Sequence, residues 1–386
     1  MTDLWPRVER LLRESGRAIE HPARYLNHEW GCTYKPEASY RFVMTYPDTY
    51  ELGQANQAIR ILCNCVNAVE GMAAERSYLP ADDMCRAMRD ADLPAFSLES
   101  CAPIGEFQAV GITLPHELAA TNVLEFLDLA GIPLRADARA AAEAASAAAG
   151  HPYRFPLIIA GGPCTFNAEP YAPFFDVMLI GEGEETIGRF MDAFYAARRD
   201  GDSRAATLRR LAQVPGVYVP SLYAPTYQDT GEVSALHALP GASARVRRQW
   251  VRDLDAYPAH TVVVTPDTEF DLYLIETARG CGRHCRFCMA GYCFRRPRNR
   301  SRRVLQEEIA AARPYKKRIG LMGAAISDYP EIDALCEDIL SADLTMSVAS
   351  FRVDSVTPVL MEALIASGMK TLTMAPEAGS PRMRAV

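Results

Sequence analysis

Three cysteines, Cys281, Cys285 and Cys288, stand in the run ETARGCGRHCRFCMAGYC with the spacing C-x3-C-x2-C. Three closely spaced thiolates can hold three irons of a [4Fe–4S] cube, leaving the fourth iron without a protein ligand. An iron left open in this way can bind and reductively cleave an added molecule. The competing use of such a run is a structural zinc site, which wants four ligands; Cys293 or His284 could supply the fourth. Against zinc, the second cysteine pair of a zinc ribbon is missing. The loop also follows an apolar strand-like segment, Leu272 to Ile275, where a barrel of alternating strands and helices places its chemistry.

The loop needs a scaffold, and the hydrophobic pattern supplies one. From about Asp271 onward, strands at Leu272 to Thr277, Arg318 to Gly323, Thr345 to Ser350 and Thr371 to Ala375 alternate with helices at Arg303 to Ala312, Glu331 to Leu340 and Thr357 to Ser367. These four βα-type repeats read as the N-terminal part of a TIM-type (β/α) barrel over residues 269–386. Upstream, strands at Tyr40 to Tyr46, Ala109 to Leu114, Pro156 to Gly162 and Asp176 to Gly181 alternate with helices at Gln54 to Glu70, Pro80 to Asp92, Glu117 to Ala130 and Glu185 to Arg199. Strands alternating with helices give a parallel sheet covered on both faces. Residues 1–214 therefore read as a Rossmann- or flavodoxin-like domain. Residues 215–268, irregular and richer in Pro and Tyr, with pieces such as GVYVP and TVVVTP, read as a β linker. The fold class expected is α/β.

Composition sets the outer bounds. A chain of 386 residues suggests two domains. Apolar content of 49% and charged content of 23% are those of a globular protein. No apolar run is long enough to span a bilayer, and the N-terminus carries no signal-peptide pattern, so a cytoplasmic location is expected. Eleven cysteines, an odd number in a large unsignalled chain, argue for thiols rather than disulfides. A net charge of −7 gives no general reason to expect nucleic-acid binding. The Arg-rich run RRPRNRSRR, Arg295 to Arg303, is read as a solvated loop and first helical turn rather than a nucleic-acid patch.

The cysteine loop resembles that of the radical S-adenosylmethionine (SAM) superfamily. Its motif, with an aromatic residue before the last cysteine, stands here as Cys281, Cys285, Phe287 and Cys288. The resemblance implies that the three cysteines ligate a [4Fe–4S] cluster and that the amino and carboxylate groups of SAM chelate the fourth iron. One electron, from a donor such as flavodoxin or ferredoxin, would then break the sulfonium and release a 5′-deoxyadenosyl radical. Phe287 would shield the cluster or line the adenine, and the turn at Gly323 would approach the methionine amino group. Ser350 and Arg352 would bind carboxylate or ribose, and Glu377 ribose hydroxyls. Barrels of this superfamily usually have six strands, and here only four precede Val386. The chain thus reads as C-terminally truncated, with a separate chain as one way to complete the barrel.

Three further phrases resemble the cobalamin-binding domain that precedes the barrel in one branch of that superfamily: AVGITL, IAGGPCTFNAEP and DVMLIGEGEETI. They would place Thr113, Gly161, Gly162, Gly181, Glu182, Gly183 and Glu184 around the cofactor, at the carboxyl ends of the strands. Domains that coordinate cobalt from below carry Asp-x-His-x-x-Gly after the first strand. Here that loop runs from Asp48 through Tyr50 to Gly53, with a phenol where the imidazole would be. Either cobalamin binds with no protein ligand below, or the domain keeps the fold and has lost the cofactor. With cobalamin, methyl transfer to an unactivated carbon is implied. Without it, the alternatives are radical modification of RNA or peptide, or a non-catalytic Fe–S or zinc-binding fragment.

Overall fold

The computed structural model describes residues 1–27, 29–150, 154–258, 265, 272–348 and 351–385. The chain divides into two compact units, one of Met1–His28 with Cys32–Val251 and the other of Glu29–Gly31 with Arg252–Val386.

The first unit is built on a six-stranded sheet. Its strands are β1 (Tyr40–Tyr46), β2 (Met72–Tyr78), β3 (Ala109–Thr113), β4 (Leu157–Gly161), β5 (Val177–Leu179) and β6 (Val217–Tyr218), in the order β2-β1-β3-β4-β5-β6. All neighbours are parallel except β6, which runs antiparallel to β5. The first five strands follow the flavodoxin-like order, whose chain direction reverses between β1 and β3. Alternation along the strands sends side chains to two cores. Val43, Val110, Ile112 and Ile158 face α1 (Trp5–Ser15), α4 (Asp82–Asp90) and α5 (Ala120–Leu129). Phe42, Met44, Ile159 and Val177 face α3 (Gln57–Asn67), α7 (Glu184–Arg199) and α8 (Arg204–Leu211). The short helix α2 (Tyr50–Gln54) follows β1, and the Ala-rich segment forms α6 (Ala136–Ala148).

Strand β2 was absent from the sequence pattern. It carries Glu75 and Arg76 in adjacent positions, yet every residue of Met72–Tyr78 is buried. The reason is local: residues 96–100 cover this edge. Leu98 N donates to Arg76 O at 2.8 Å, Ser77 Oγ to Phe96 O at 2.9 Å, and Arg76 pairs with Glu99 at 2.7 Å. The expected linker also divides differently. β6 closes the sheet, β7 (Tyr223–Tyr227) and β8 (Val233–Ala238) form an antiparallel hairpin, and the chain stays with the first unit through Val251. Much of the TVVVTP piece lies outside the described residues.

In the second unit, β9 (Tyr273–Glu276), β12 (Arg318–Met322) and β13 (Thr345–Val348) form a parallel sheet in sequential order. Between β9 and β12 the chain adds a two-residue ladder, β10 (Ala278–Arg279) against β11 (Arg298–Asn299), and the helical turn α9 (Ala290–Cys293). Helices α10 (Arg302–Ala312), α11 (Ile332–Ser341) and α12 (Pro358–Ala366) pack on this sheet. Ser301 and Thr357 start α10 and α12 by accepting from Val304 N and Leu360 N, as N-cap residues do. A last short helix, α13 (Pro381–Ala385), is exposed. The expected fourth strand is reduced to a single parallel bridge, Phe351 to Met374. Around it Thr371, Thr373 and Ala375 are exposed, so little apolar burial offsets the cost of ordering that segment. Among the described residues no helix is long and apolar enough to cross a membrane.

Candidate functional site

The cysteine loop rises from the carboxyl end of β9. Thr277 is fully buried, and both its backbone N and its Oγ1 donate to Met322 O, at 2.9 and 3.1 Å. That fixes the end of β9 against the end of β12. Gly280 then turns with φ +86°, and a Cβ there would lie 2.0 Å from Phe294 O, so only glycine fits. The β10/β11 ladder ties the base of the loop, and Cys281, Cys285 and Cys288 lie within it. Cys288 N donates to Cys285 O at 3.1 Å. All three cysteines are partly exposed thiols outside any disulfide. Among the described residues, no three His, Cys, Asp or Glu side chains form a set that could hold a single metal ion. Thiols that bind separate irons of a cube have no such need to converge on one centre.

Charged residues brace this edge of the sheet. Arg283, between the first two cysteines, donates from Nε and Nη2 to both oxygens of Asp328, at 3.0 Å each. Asp328 ends the 3-10 turn Ile326–Asp328 after β12. Arg352, after β13, brings its Nε to 3.5 Å from the same carboxylate and its Nη2 to 2.5 Å from Asp354. Its backbone N donates to Ser327 Oγ at 3.1 Å. Below them, Arg300 is buried and bonded to Glu276 at 2.6 Å and to the carbonyls of Leu254, Tyr257 and Pro258. Burial alone would push the Glu276 carboxyl up; Arg279 and Arg300 outweigh it and hold the group below its usual range. Arg300 thus belongs to the interior. Arg302 pairs with Asp338 and Arg303 with Glu307.

The expected SAM-site residues have different standings. Gly323 follows the carboxyl end of β12, next to the cysteine loop's own strand, and Arg352 follows that of β13, one strand further away. A Cβ on Gly323 would lie 2.9 Å from Ile326 Cδ1 and 3.3 Å from Thr277 Oγ1, so the protein's own chain requires glycine there. Phe287 is 72% exposed, and Glu377, at φ +64°, is exposed beyond the Met374 bridge. Ser350 lies outside the described residues. Arg283, Asp328 and Glu276 were not singled out from sequence, because a lone charge in a loop carries no periodic signal; Arg300, read within the arginine run as part of a solvated loop, is instead buried.

In the first unit, four of the five glycines expected to cradle cobalamin are closed in by the chain itself, while a Cβ on Gly161 would meet open space. A Cβ on Gly53 would lie 2.2 Å from the Tyr78 ring; on Gly162, 2.9 Å from Leu114 O; on Gly181, 2.1 Å from Gln249 O; and on Gly183, 2.9 Å from the Leu62 side chain. Thr113 pairs with Gly161 across β3 and β4, and Leu114 N donates to Gly161 O at 2.7 Å, which closes the gap between those strand ends. Glu182 is engaged by Gln249 O and Val251 N, at 3.0 and 2.7 Å, and Glu184 is buried at the start of α7. Asp48 O accepts from Leu79 N at 3.1 Å. Tyr50 is 2% exposed and packs edge-on against Tyr78, at 5.4 Å between centroids. A phenol held there cannot face a corrin ring, and these residues do not fit cobalamin.

Comparison with known families finds matches in both units of the chain. Residues 58–220 match the family described as "Radical SAM proteins, N-terminal", and residues 275–386 match the "Radical SAM superfamily". An uncharacterized protein of Methanocaldococcus jannaschii is 27% identical over 345 residues, which is 88% of this chain and 61% of that protein. The chain thus spans less than two thirds of the length of this relative. With the cysteine spacing intact on the first strand of a parallel α/β sheet, and both matches falling within one grouping of enzymes, the chain belongs to the radical SAM superfamily.

Proposed function

We propose that Cys281, Cys285 and Cys288 hold a [4Fe–4S] cluster with one iron open to SAM, and that the chain starts a radical reaction without cobalamin. When bound, a reduced cluster of this kind supplies one electron that cleaves the sulfonium of SAM to methionine and a 5′-deoxyadenosyl radical. The observation that carries this reading is the intact three-thiol loop at the carboxyl end of β9, beside the ends of β12 and β13. The three thiolates bind iron. Arg352 offers a guanidinium for the SAM carboxylate, in exchange for its contact with Asp354. The partly exposed loop leaves an approach for an electron donor of the ferredoxin or flavodoxin type. The close packing at Gly53, Gly162, Gly181 and Gly183 favours a cobalamin-free radical reaction over cobalamin-dependent methyl transfer.

The test is anaerobic reconstitution with iron and sulfide, then reduction in the presence of SAM. Bound iron and sulfide in equal amounts and formation of 5′-deoxyadenosine are expected. Retention of zinc alone, with no 5′-deoxyadenosine, would sink the reading.

A further inference from the structure

We infer that the Arg283–Asp328 pair is a latch that positions the cysteine loop for cluster assembly. The inference rests on the cluster reading above. Arg283 lies between Cys281 and Cys285, so whatever holds its side chain holds that stretch of loop. Its guanidinium meets Asp328 through two parallel hydrogen bonds of 3.0 Å, an arrangement that fixes orientation as well as distance. Asp328 is itself held on a short turn at the end of β12, where Asp328 N donates to Ala325 O at 3.0 Å. The base of the loop is tied by the β10/β11 ladder, and the latch ties the loop near its first cysteine to a different strand. Two anchors on separate elements remove the hinge freedom that one would leave.

Charge points the same way. The Arg283 guanidinium, protonated at any working pH, stands between two of the thiols in sequence and offsets thiolate charge while it is held in place. Asp328 also faces Arg352 Nε at 3.5 Å, so one carboxylate sits between the loop and the residue that follows β13. Loss of Asp328 leaves two cations close together and frees Arg283, while Arg352 keeps its contact with Asp354. Lysine in place of Arg283 keeps the charge but not the planar fork.

The experiment compares the wild-type chain with Arg283→Ala, Arg283→Lys and Asp328→Asn. Bound iron and sulfide are measured after reconstitution. Alkylation rates of the loop cysteines and of the buried Cys336 are measured in the cluster-free chains. Arg283→Ala and Asp328→Asn should retain about two- to fivefold less cluster, the span expected from a partly exposed ion pair. Arg283→Lys should fall between them and wild type. The loop cysteines should react faster by a similar factor while Cys336 stays protected. Wild-type retention and rates in both variants would overturn the latch. So would reactive Cys336, which would show general loosening of the unit. If the wild-type chain takes up no cluster, the proposed function fails, and the loop alkylation rates alone decide the latch.

Discussion

Arg300 Nη2 lies 2.6 Å from Glu276 Oε2, and the Arg300 side chain has no exposed surface. The same guanidinium bonds the backbone carbonyls of Leu254, Tyr257 and Pro258, so it clips the segment entering the second unit to the end of β9. Arg300→Met should leave those carbonyls short of a donor and Glu276 dependent on Arg279 alone. Breaking a buried pair of this kind costs about 3–5 kcal/mol. The measurement is the denaturant midpoint of the second unit's transition in the cluster-free protein. A loss under about 1 kcal/mol, the range of exposed pairs, would contradict the clip.

Acid should destabilise the same region. Glu276 is depressed by Arg279 and Arg300 against the opposing effect of burial, and Asp338 is depressed chiefly by its hydrogen bond to Arg302. A carboxylate whose folded pKa lies below its unfolded value stabilises the fold above the unfolded pKa. That stability is lost as pH falls through the folded one. Denaturant midpoints should therefore hold steady from neutral pH down to about pH 5 and fall below about pH 4.3, the ordinary glutamate value. Arg300→Met should flatten part of that acid limb. An equal slope in both proteins would remove Glu276 as its source.

The loop after β1 yields a prediction of opposite sign from its sequence. Tyr50→His restores the Asp-x-His-x-x-Gly pattern, and from sequence alone it offers cobalt a ligand. In the structure the side chain at position 50 is buried against Tyr78, and Gly53 backs onto the same ring. Added hydroxocobalamin should show no retained, shifted corrin spectrum with either the wild-type chain or Tyr50→His. A shifted spectrum in the variant would reopen the cofactor reading. Gly53→Ala should destabilise the first unit by about 1–3 kcal/mol, because its Cβ would overlap the Tyr78 ring.

What the sequence made legible follows from how each feature is encoded. Strands β1, β3, β4 and β5 are short apolar runs before helical periodicity, and such alternation survives in any one sequence. Strand β2 was invisible because Glu75 and Arg76 find Arg41 and Glu99 only after the chain has folded. The cysteines were legible because the spacing of three ligands is itself the chemistry. Arg283 and Asp328 are 45 residues apart and meet through the β9–β12 pairing, which no local pattern specifies. The glycines misled for a related reason. A glycine signals close approach, and whether a cofactor or Tyr78, Leu114 and Gln249 approach is settled by packing alone.

Thiol reactivity should divide the eleven cysteines along structural lines. The thiolate is the nucleophile, so both access and pKa govern alkylation. Burial pushes Cys65 and Cys85 up to about 11 and Cys101 and Cys336 up to about 12. Cys63 is driven higher still. At about pH 8 a thiol of pKa 11 is roughly one part in a thousand ionised, and one of pKa 12 ten times less. Cys281, Cys285 and Cys288 are partly exposed on their loop. In the cluster-free, folded protein, iodoacetamide should therefore label these three well before Cys63, Cys101 or Cys336, as read by peptide mass spectrometry over time. After reconstitution the three should become protected while the labelling of the others stays unchanged. Loop cysteines that remain as reactive with bound iron as without it would mean that the iron is held elsewhere on the chain.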